Sequence, residues 1–393
     1  MKTKNIPRLF NIKERSFFLF GPRGVGKSTF LKNTFPDSLY IDLLDSSLYL
    51  DLSKQPSNLE AMAKRIPEKS WIVIDEIQKI PHLLDEVHRL MEFKDWYFVL
   101  CGSSARKLRK GGVNLLAGRA ITRDMEGFSY KELEKDYNLD FSIEWGTLPL
   151  VQQNQDDVED ILNAYVNTYI KEEIKEEGAV RNLQPFLRFL EIAGLINGQV
   201  LNKQNIVREA SVPRSNVDVY FSILEDSLLC HFLPAYRPKV KVREQSHAKF
   251  YWFDTGAARA ASGLLYDKLD QIWSGTALET LIYHELRVYN KIANKYRPVY
   301  YYRTSTGLEI DFIIEIKKQQ FSKPAEIICI EVKNSKKWDH RWEKPMKSLA
   351  AESKLIVKKM IGIYRGKYSY IFNEVEVLPV ETFLNELFSG NIF

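Results

Sequence analysis

The strongest constraint on the fold lies near the N-terminus, where residues 21–28 read G-P-R-G-V-G-K-S and fit the pattern G-x-x-x-x-G-K-[ST]. An apolar run ends at Phe20 just before this segment, and Ser28–Asn33 reads as the start of a helix. Glycines let the backbone curl so that its N–H groups point inward, and a helix N-terminus adds the positive end of its dipole. This order of strand, loop and helix predicts a phosphate-binding loop.

Such a loop predicts ATP and Mg²⁺ as cofactors. We expect Lys27 to reach the β- and γ-phosphates and the Ser28 hydroxyl to bind Mg²⁺. The residues predicted to bind the nucleotide are Gly21, Pro22, Arg23, Gly24, Val25, Gly26, Lys27, Ser28 and Thr29.

A second motif follows at Trp71–Glu76, where four apolar residues precede two carboxylates, as at the end of a buried parallel strand. We expect Asp75 to hold Mg²⁺ through water and Glu76 to polarise the water that attacks the γ-phosphate. Together with the upstream loop, this motif predicts hydrolysis as well as binding of ATP.

Two further apolar runs belong to the same predicted domain. Trp96–Gly102 is expected to be a buried strand that delivers Ser103 and Ser104 at its end, where a hydroxyl is placed to orient the water or sense the γ-phosphate. Leu39–Leu43 reads as a strand that lies between the two motifs along the sequence. Such a strand suits the branch of P-loop ATPases that uses a glutamate to activate water.

Composition indicates a globular protein of more than one domain. The chain has 393 residues, of which 45% are hydrophobic and 27% are charged, and this length predicts about two to three domains. No apolar run approaches the length of a membrane span, and residues 1–7 lack the apolar core of a signal peptide, so we expect a cytoplasmic protein without a membrane partner. Cys101, Cys230 and Cys329 lie in apolar contexts, which favours buried, reduced thiols.

The middle of the chain has the pattern of a helix-turn-helix. Leu201–Val212 reads as a short helix and Asn216–Asp226 as a second one, with a turn at Pro213–Ser215 between them. Ser215 or Asn216 is the expected N-cap of the second helix. The basic, β-rich segment that follows predicts a wing, so the region as a whole is interpreted as a winged helix.

Basic residues are concentrated in two stretches, although the net charge of +5 is mild. Residues 236–249 carry five basic residues against one acidic residue, and residues 333–347 carry six against two. These stretches favour contact with phosphates and make DNA the expected nucleic-acid partner. The second predicted helix has Arg214 near its start, but Asp218 would repel phosphate. A lid extension or an oligomer contact is therefore the alternative to base reading by this helix.

The C-terminal third carries a carboxylate and lysine pattern on predicted strands. Tyr300–Ile314 reads as two strands joined by a turn, and Glu326–Lys333 as another, with Glu331 and Lys333 on one face. With Asp311, the pattern is similar to the D…E-x-K of PD-(D/E)xK nucleases. That resemblance implies that Asp311 and Glu331 hold a divalent cation, Mg²⁺ or Mn²⁺, while Lys333 positions the nucleophilic water or stabilises charge on the phosphorane. The alternative is that these three residues are ordinary surface charges at strand ends.

Residues 102–120, G-S-S-A-R-K-L-R-K-G-G-V-N-L-L-A-G-R-A, resemble the signature of a prokaryotic AAA+-type ATPase family. Members of this family carry a winged helix and a C-terminal domain of restriction-endonuclease-like type. Further matching segments run along nearly the whole chain, at Gly146–Pro149, Leu224–Asp226, Lys249–Gly256 and Gly307–Asp311.

The resemblance implies roles for individual residues. Ser103 is expected to be the sensor and Arg119 the arginine finger, and Arg106 and Arg123 are rivals for that role. Glu279 matches the acidic position on the first helix of the endonuclease-like fold and is expected to join the metal ligands. Because an arginine finger normally acts on a neighbour's nucleotide, we expect a homo-oligomer.

The expected fold class is α/β, with a P-loop NTPase domain of AAA+-like type, a helical lid and winged helix, and a C-terminal restriction-endonuclease-like α/β domain. The expected boundaries are 1–127 for the P-loop domain, 128–197 for the helical lid region, 198–263 for the winged-helix region and 264–393 for the endonuclease-like domain.

The expected function is an ATPase that couples its nucleotide state to a C-terminal domain acting on DNA, with metal-dependent cleavage as one form of that action. One alternative is an ATP-driven DNA-binding or signalling switch whose endonuclease-like domain is catalytically silent. The other is a regulatory protein with a protein partner and no role on DNA.

Overall fold

The fold is that of a computed structural model, which describes residues 6–104, 106, 108, 116–176, 182–238, 247–320, 323–351 and 355–393. Within these ranges the strands form an N-terminal, a small middle and a C-terminal sheet. Among the helices of the same ranges, none combines the length and the apolar character that crossing a membrane requires.

The N-terminal sheet is parallel and is covered on both faces. Its strands are β1 (Phe17–Phe20), β2 (Leu39–Asp42), β3 (Trp71–Asp75), β4 (Tyr97–Gly102) and β5 (Ile121–Asp124). The helices along it are α1 (Lys27–Thr34), α2 (Ser46–Lys54), α3 (Asn58–Ala63) and α4 (Leu83–Phe93). One face packs against α2, α3 and α4, and the other against α1 and the helices that follow β5. Burial on both faces explains why these strands are almost continuously apolar.

The expected strand at Leu39–Leu43 is present as β2, and the strand order of the sheet is β2–β3–β4–β1–β5. The strand that lies between β1 and β3 in space is β4, which ends at Gly102, just before Ser103. Leu39–Leu43 lies between the two motifs in the sequence, but β2 is at the edge of the sheet beside β3. Because all these strands are parallel, their carboxyl ends bring the loop after β1, Asp75 and Ser103 to one edge.

A helical region follows β5. Its helices are α5 (Tyr130–Leu133), α6 (Leu139–Trp145), α7 (Pro149–Gln153), α8 (Val158–Ala164), α9 (Lys171–Glu176) and α10 (Leu183–Leu195). A π-helical turn, Tyr165–Ile170, joins α8 to α9. Such turns inside helices are frequent at functional sites.

The middle sheet is antiparallel and has the order β6–β8–β7. Its strands and the helices around it are β6 (Gln199–Val200), α11 (Lys203–Ala210), α12 (Arg214–Asp226), β7 (Cys230–Leu233), β8 (Lys249–Trp252) and α13 (Thr255–Ala261). The expected N-cap at Ser215 or Asn216 is wrong, since α12 begins at Arg214 with Pro213 as its N-cap residue. Pro213 has an extended backbone, so the helix starts directly after it.

The C-terminal sheet is mixed and has the order β13–β14–β12–β11–β10–β9. Its elements are α14 (Gln271–Ile292), β9 (Val299–Arg303), β10 (Glu309–Lys317), β11 (Ala325–Lys333), α15 (Lys344–Ala350), β12 (Leu355–Tyr364), β13 (Tyr370–Phe372), β14 (Val375–Pro379) and α16 (Val380–Phe388). β10 pairs antiparallel with β9 and β11, whereas β11, β12 and β14 run parallel. The antiparallel pair of β10 and β11 places Asp311 beside the end of β11.

Candidate functional site

The loop between β1 and α1 has the backbone that phosphate binding requires. Gly24 and Gly26 adopt left-handed φ angles of 80° and 87°, which favour glycine. Lys27 is buried, and its Nζ donates to the carbonyl oxygens of Gly21 at 2.7 Å and Pro22 at 3.0 Å. The N-terminus of α1 and this ammonium group therefore concentrate positive charge at the loop, so the residues present fit a bound nucleotide phosphate.

Asp75 ends β3 and is only 3% exposed. Its Oδ2 accepts a hydrogen bond of 2.6 Å from the Tyr40 hydroxyl on neighbouring β2. Burial and then this hydrogen bond raise the pKa of Tyr40 above its ordinary value, so the tyrosine stays neutral and acts as the donor. The carboxylate is thereby held in one orientation at the edge of the sheet, where an oxygen ligand suits Mg²⁺.

Glu76 has a left-handed backbone, with φ 59° and ψ 40°, which is uncommon for a residue other than glycine. This conformation ends β3 abruptly and is a form of strain typical of functional positions. The Glu76 carboxylate accepts a hydrogen bond from Gln78 Nε2, which also lies 3.3 Å from Ser103 Oγ. Gln78 thus links the carboxylate to the hydroxyl at the end of β4, a role that the sequence pattern did not indicate.

The tight fit around Gln78 depends on Gly102. A Cβ atom added at Gly102 would lie 2.3 Å from Gln78 Oε1, so a side chain there would displace the glutamine. Glycine at the end of β4 therefore makes room for the link between Glu76 and Ser103.

The π-helical turn of the helical region lies against the phosphate loop. The Tyr165 hydroxyl donates to the carbonyl oxygen of Arg23 at 2.9 Å, and the Arg23 guanidinium stands 5.6 Å from the centre of the Tyr169 ring. A small cavity is lined by Arg23, Tyr165, Ser103 and Ser227. The phosphate loop, the end of β4 and the end of α12 therefore meet at one place.

Arg119 lies on the exposed surface of the N-terminal domain. Its Nη2 is 2.5 Å from Glu92 Oε1, and its Nη1 is 2.6 Å from His88 Nε2, both on α4. Residues 105, 107 and 109–115 of the signature segment lie outside the described residues.

The other two candidate arginines contact residues that lie much later in the chain. Arg106 Nη1 lies 2.9 Å from Asp226 Oδ2 and 2.8 Å from Ser222 Oγ, both on α12. Arg123 Nη1 donates to the Tyr296 hydroxyl at 2.9 Å. Arg106 therefore joins the segment after β4 to the middle of the chain.

Three of the C-terminal candidates converge on adjacent strands. Lys333 Nζ lies 2.5 Å from Glu331 Oε1 on the same strand and 3.7 Å from Asp311 Oδ2 on β10. Asp311 Oδ2 also accepts a hydrogen bond of 2.8 Å from the backbone N–H of Val332. Glu331 Oε2 is buried and has no hydrogen-bond partner among the described residues. Burial raises the pKa of Glu331 to about 8, with nearby Asp311 adding to the rise.

Glu279 reaches the same place from α14, but it is paired with a lysine that the sequence pattern did not assign to the site. Lys249 on β8 is 4% exposed, and its Nζ lies 2.6 Å from Glu279 Oε1, 2.7 Å from Glu309 Oε1 and 3.7 Å from Asp311 Oδ1. Burial alone lowers the pKa of Lys249, but the carboxylates outweigh it and hold that pKa well above its usual value. The lysine therefore stays charged.

Two ammonium groups thus stand between the C-terminal carboxylates. Across the parts of the chain that the structure describes, no group of three His, Cys, Asp or Glu side chains is arranged to hold a metal ion. In this arrangement Asp311, Glu331 and Glu279 do not fit a common divalent cation.

A third charged cluster joins α14 to the N-terminal domain. Arg287 Nη2 lies 2.7 Å and Lys291 Nζ 2.8 Å from Glu126 Oε1, which follows β5. Glu285 is fully buried, and its Oε1 accepts a hydrogen bond of 2.8 Å from the backbone N–H of Tyr130. Burial raises the pKa of Glu285 to about 7. These contacts join α14 to the segment after β5 and to the start of α5.

Comparisons with known families agree with the parallel sheet and phosphate loop. Residues 13–134 match the family model described as AAA domain. Residues 128–268 and 274–383 match two models described as domains of unknown function, DUF8612 and DUF4143. The AAA match and the observed sheet together support an AAA-type ATPase fold for the N-terminal domain.

Solved structures give only distant likenesses. A RuvB variant from Thermotoga maritima is 14% identical, with 56% of this chain and 82% of that chain covered and a TM-score of 0.29. The Aeropyrum pernix ORC1 protein in complex with DNA is 12% identical, with 65% and 87% covered and a TM-score of 0.28. A signal transduction ATPase with a tetratricopeptide repeat sensor from Pyrococcus horikoshii is 14% identical, with 72% and 46% covered and a TM-score of 0.23. No curated protein matches the chain.

Proposed function

We propose that this protein binds and hydrolyses ATP and couples its nucleotide state to a C-terminal domain that acts on DNA. The observation that carries the ATPase proposal is the convergence of Lys27, Asp75 and Ser103 at the carboxyl ends of β1, β3 and β4. The proposed domains are 1–127, 128–197, 198–263 and 264–393.

Each residue of the nucleotide site has a separate task in this proposal. The loop from Gly21 to Thr29 binds the phosphates, and Lys27 exchanges its loop carbonyl partners for the β- and γ-phosphate oxygens. Ser28 and, through water, Asp75 would hold Mg²⁺, which neutralises phosphate charge when it is bound. Glu76 polarises the attacking water, while Gln78 and Ser103 keep its carboxylate oriented.

The arginine finger is proposed to be Arg119, acting on a second copy of this chain. The Arg119 side chain is exposed and contacts Glu92 and His88. This exposure supports action on the nucleotide of a neighbouring subunit. Arg106 and Arg123 are the alternatives. Arg106 lies in the segment after Ser103 and pairs with Asp226 of the same chain, and Arg123 donates to Tyr296.

We interpret the middle region as a winged helix. The order α10, β6, α11, α12, β7 and β8 supports that interpretation. The contact of α12 with Arg106 favours a coupling role for this helix over base reading. DNA contact is instead assigned to the basic segment after β11, where Lys336, Lys337 and Lys344 are exposed. The other basic stretch lies largely in residues 239–246, outside the described part of the chain.

The C-terminal domain is proposed to be endonuclease-like, with Asp311, Glu331, Lys333 and Glu279 as its centre. Their convergence supports this interpretation. The position of Lys249 among the carboxylates favours a domain that binds DNA without cleaving it in this conformation. Cleavage with Mg²⁺ or Mn²⁺ would require the lysine to leave.

One experiment separates the candidate functions. ATP turnover, DNA binding as a function of salt, and cleavage of plasmid and single-stranded DNA are measured with Mg²⁺ and with Mn²⁺. Turnover together with salt-dependent binding supports the proposal, and cleavage decides between a nuclease and a binding switch. Turnover without any DNA binding would favour a regulatory protein with a protein partner. Absence of ATP binding would contradict the proposal altogether.

A further inference from the structure

Lys249 belongs to the small middle sheet, yet its side chain ends inside the C-terminal domain. Its ammonium group is in contact with carboxylates from α14 and from β10, at Glu279 and Glu309, and it lies 3.7 Å from Asp311. Burying a lysine without partners is costly, so its position is explained by the charge of this carboxylate group. Conversely, the carboxylates repel one another and need a positive charge between them.

A divalent cation and the ammonium group cannot occupy this place together. Mg²⁺ binds carboxylate oxygens at about 2.0–2.1 Å, so a cation bound by Glu279 and Asp311 would lie close to the Nζ position and meet a like charge there. One acceptor of the centre is still available, because Glu331 Oε2 is buried without a hydrogen-bond partner in the described part of the chain. Glu331 Oε2 is thus an oxygen ligand for a metal that neither Lys249 nor Lys333 uses.

We propose that Lys249 serves, beside Lys333, as an internal cation of the C-terminal centre, and that it excludes a divalent metal while β8 is docked. The proposal rests on the proposed function only in taking Asp311, Glu331 and Glu279 as the metal ligands. The centre opens to metal when the Lys249 side chain is withdrawn, and it is closed in the present conformation.

The docking of β8 is built from several contacts. The Tyr251 ring lies 4.8 Å from the Tyr283 ring on α14 and 6.4 Å from the Phe312 ring on β10. The Tyr251 hydroxyl donates to Glu279, the same carboxylate that binds Lys249. The Tyr301 hydroxyl donates to the carbonyl oxygen of His247, just before β8, at 2.5 Å. Movement of the middle sheet relative to the C-terminal sheet would therefore carry Lys249 out of the centre.

The test measures Mn²⁺ binding to the full chain without nucleotide, by isothermal titration calorimetry and by electron paramagnetic resonance. Lys249→Met removes the charge with little change in length. We expect it to gain a Mn²⁺ site at least about tenfold tighter than any site of the wild-type protein, and to lose that site when Asp311→Asn is added. Wild-type protein is expected to show no Mn²⁺ binding that depends on Asp311.

Lys249→Met leaves the carboxylates without their counter-charge and can therefore impair folding. A second variant controls for this effect. Lys249→Met combined with Glu309→Gln removes one positive and one negative charge, so the net charge of the centre is unchanged. It should show the same gain, and Mn²⁺ should raise its thermal unfolding temperature by mass action. Glu309→Gln alone is the matched control and should show no gain, because Lys249 remains.

Two outcomes would overturn the proposal: tight, Asp311-dependent Mn²⁺ binding by the wild-type protein, or no gain in either lysine variant that is folded by circular dichroism. The proposed function is judged separately. If the lysine variants gain Mn²⁺ but cleave no DNA, the metal exclusion stands and the nuclease form of the function fails. ATP turnover is independent of both results.

Discussion

Lys27 and Glu76 are predicted to act on different steps of ATP turnover. Lys27→Ala removes the cation expected at the β- and γ-phosphates, so ATP binding and turnover should both be lost. Glu76→Gln keeps the shape of the side chain but loses the base, so binding should persist while hydrolysis slows by about 10²–10⁴-fold. Equilibrium binding of a fluorescent nucleotide and steady-state phosphate release check the two effects. Near wild-type hydrolysis by Glu76→Gln would remove Glu76 from its assigned role.

At the scale of elements, the segment after β4 is tied to α12 by Arg106 and Asp226. Their side chains are largely buried, at 11% and 29% exposure, so the ion pair is less screened than one on the surface. A double-mutant cycle with Arg106→Gln and Asp226→Asn should give a coupling of about 1 kcal/mol or more in the free energy of unfolding. Additive effects of the two changes would show that the pair does not couple these elements.

The contact between α14 and the start of α5 should depend on pH through Glu285, which accepts from the Tyr130 N–H. Its pKa of about 7 in the folded protein lies above its ordinary value of 4.5, so the folded state binds the proton more tightly. This contribution to stability is present at low pH and is lost as the pH rises toward and through 7, because a charge must then be buried.

Glu285→Gln should therefore raise the free energy of unfolding by about 1–2 kcal/mol at pH 8 and change it little at pH 5. The amide of the substituted side chain keeps an oxygen that can accept from the Tyr130 N–H, so the hydrogen bond is preserved. Denaturant unfolding at both pH values measures the difference. An equal effect at the two pH values would contradict a titrating Glu285.

At the scale of the whole molecule, the exposed position of Arg119 leads to a prediction about assembly. If Arg119 acts on a neighbour's nucleotide, Arg119→Ala should reduce turnover by about 10³-fold or more with little loss of ATP affinity. Mixing this variant with Glu76→Gln should restore part of the turnover, because a hybrid site combines Glu76 from one subunit with Arg119 from the other. Phosphate release by the mixture measures the recovery.

The mixture must first be shown to co-assemble, by light scattering or native mass measurement. No recovery in such a mixture would move the finger to Arg106 or Arg123, or make hydrolysis a property of the single chain. Recovery would place the interface beside Glu92 and His88, which hold Arg119 in the isolated chain.

Local pattern was sufficient where function depends on consecutive residues. The phosphate loop could be predicted because its glycines, lysine and following helix form one continuous backbone feature from Gly21 to Thr34. Period two in a strand likewise predicted that Glu331 and Lys333 share a face, and in the structure they are paired. The parallel α/β character of the N-terminal domain followed from its buried, apolar strands.

Tertiary structure decided the contacts between residues far apart in the chain. Lys249 reaches Glu279 and Glu309 because two separate sheets meet, and no periodicity within β8 says which sheet it will face. The position of β4 between β1 and β3 is also a property of strand order, which residue patterns do not encode. Local patterns therefore predicted the groups that lie within one motif and the strand or loop that carries them. Packing between elements added Lys249 and selected the side-chain partners, since those depend on distances that only the folded chain defines.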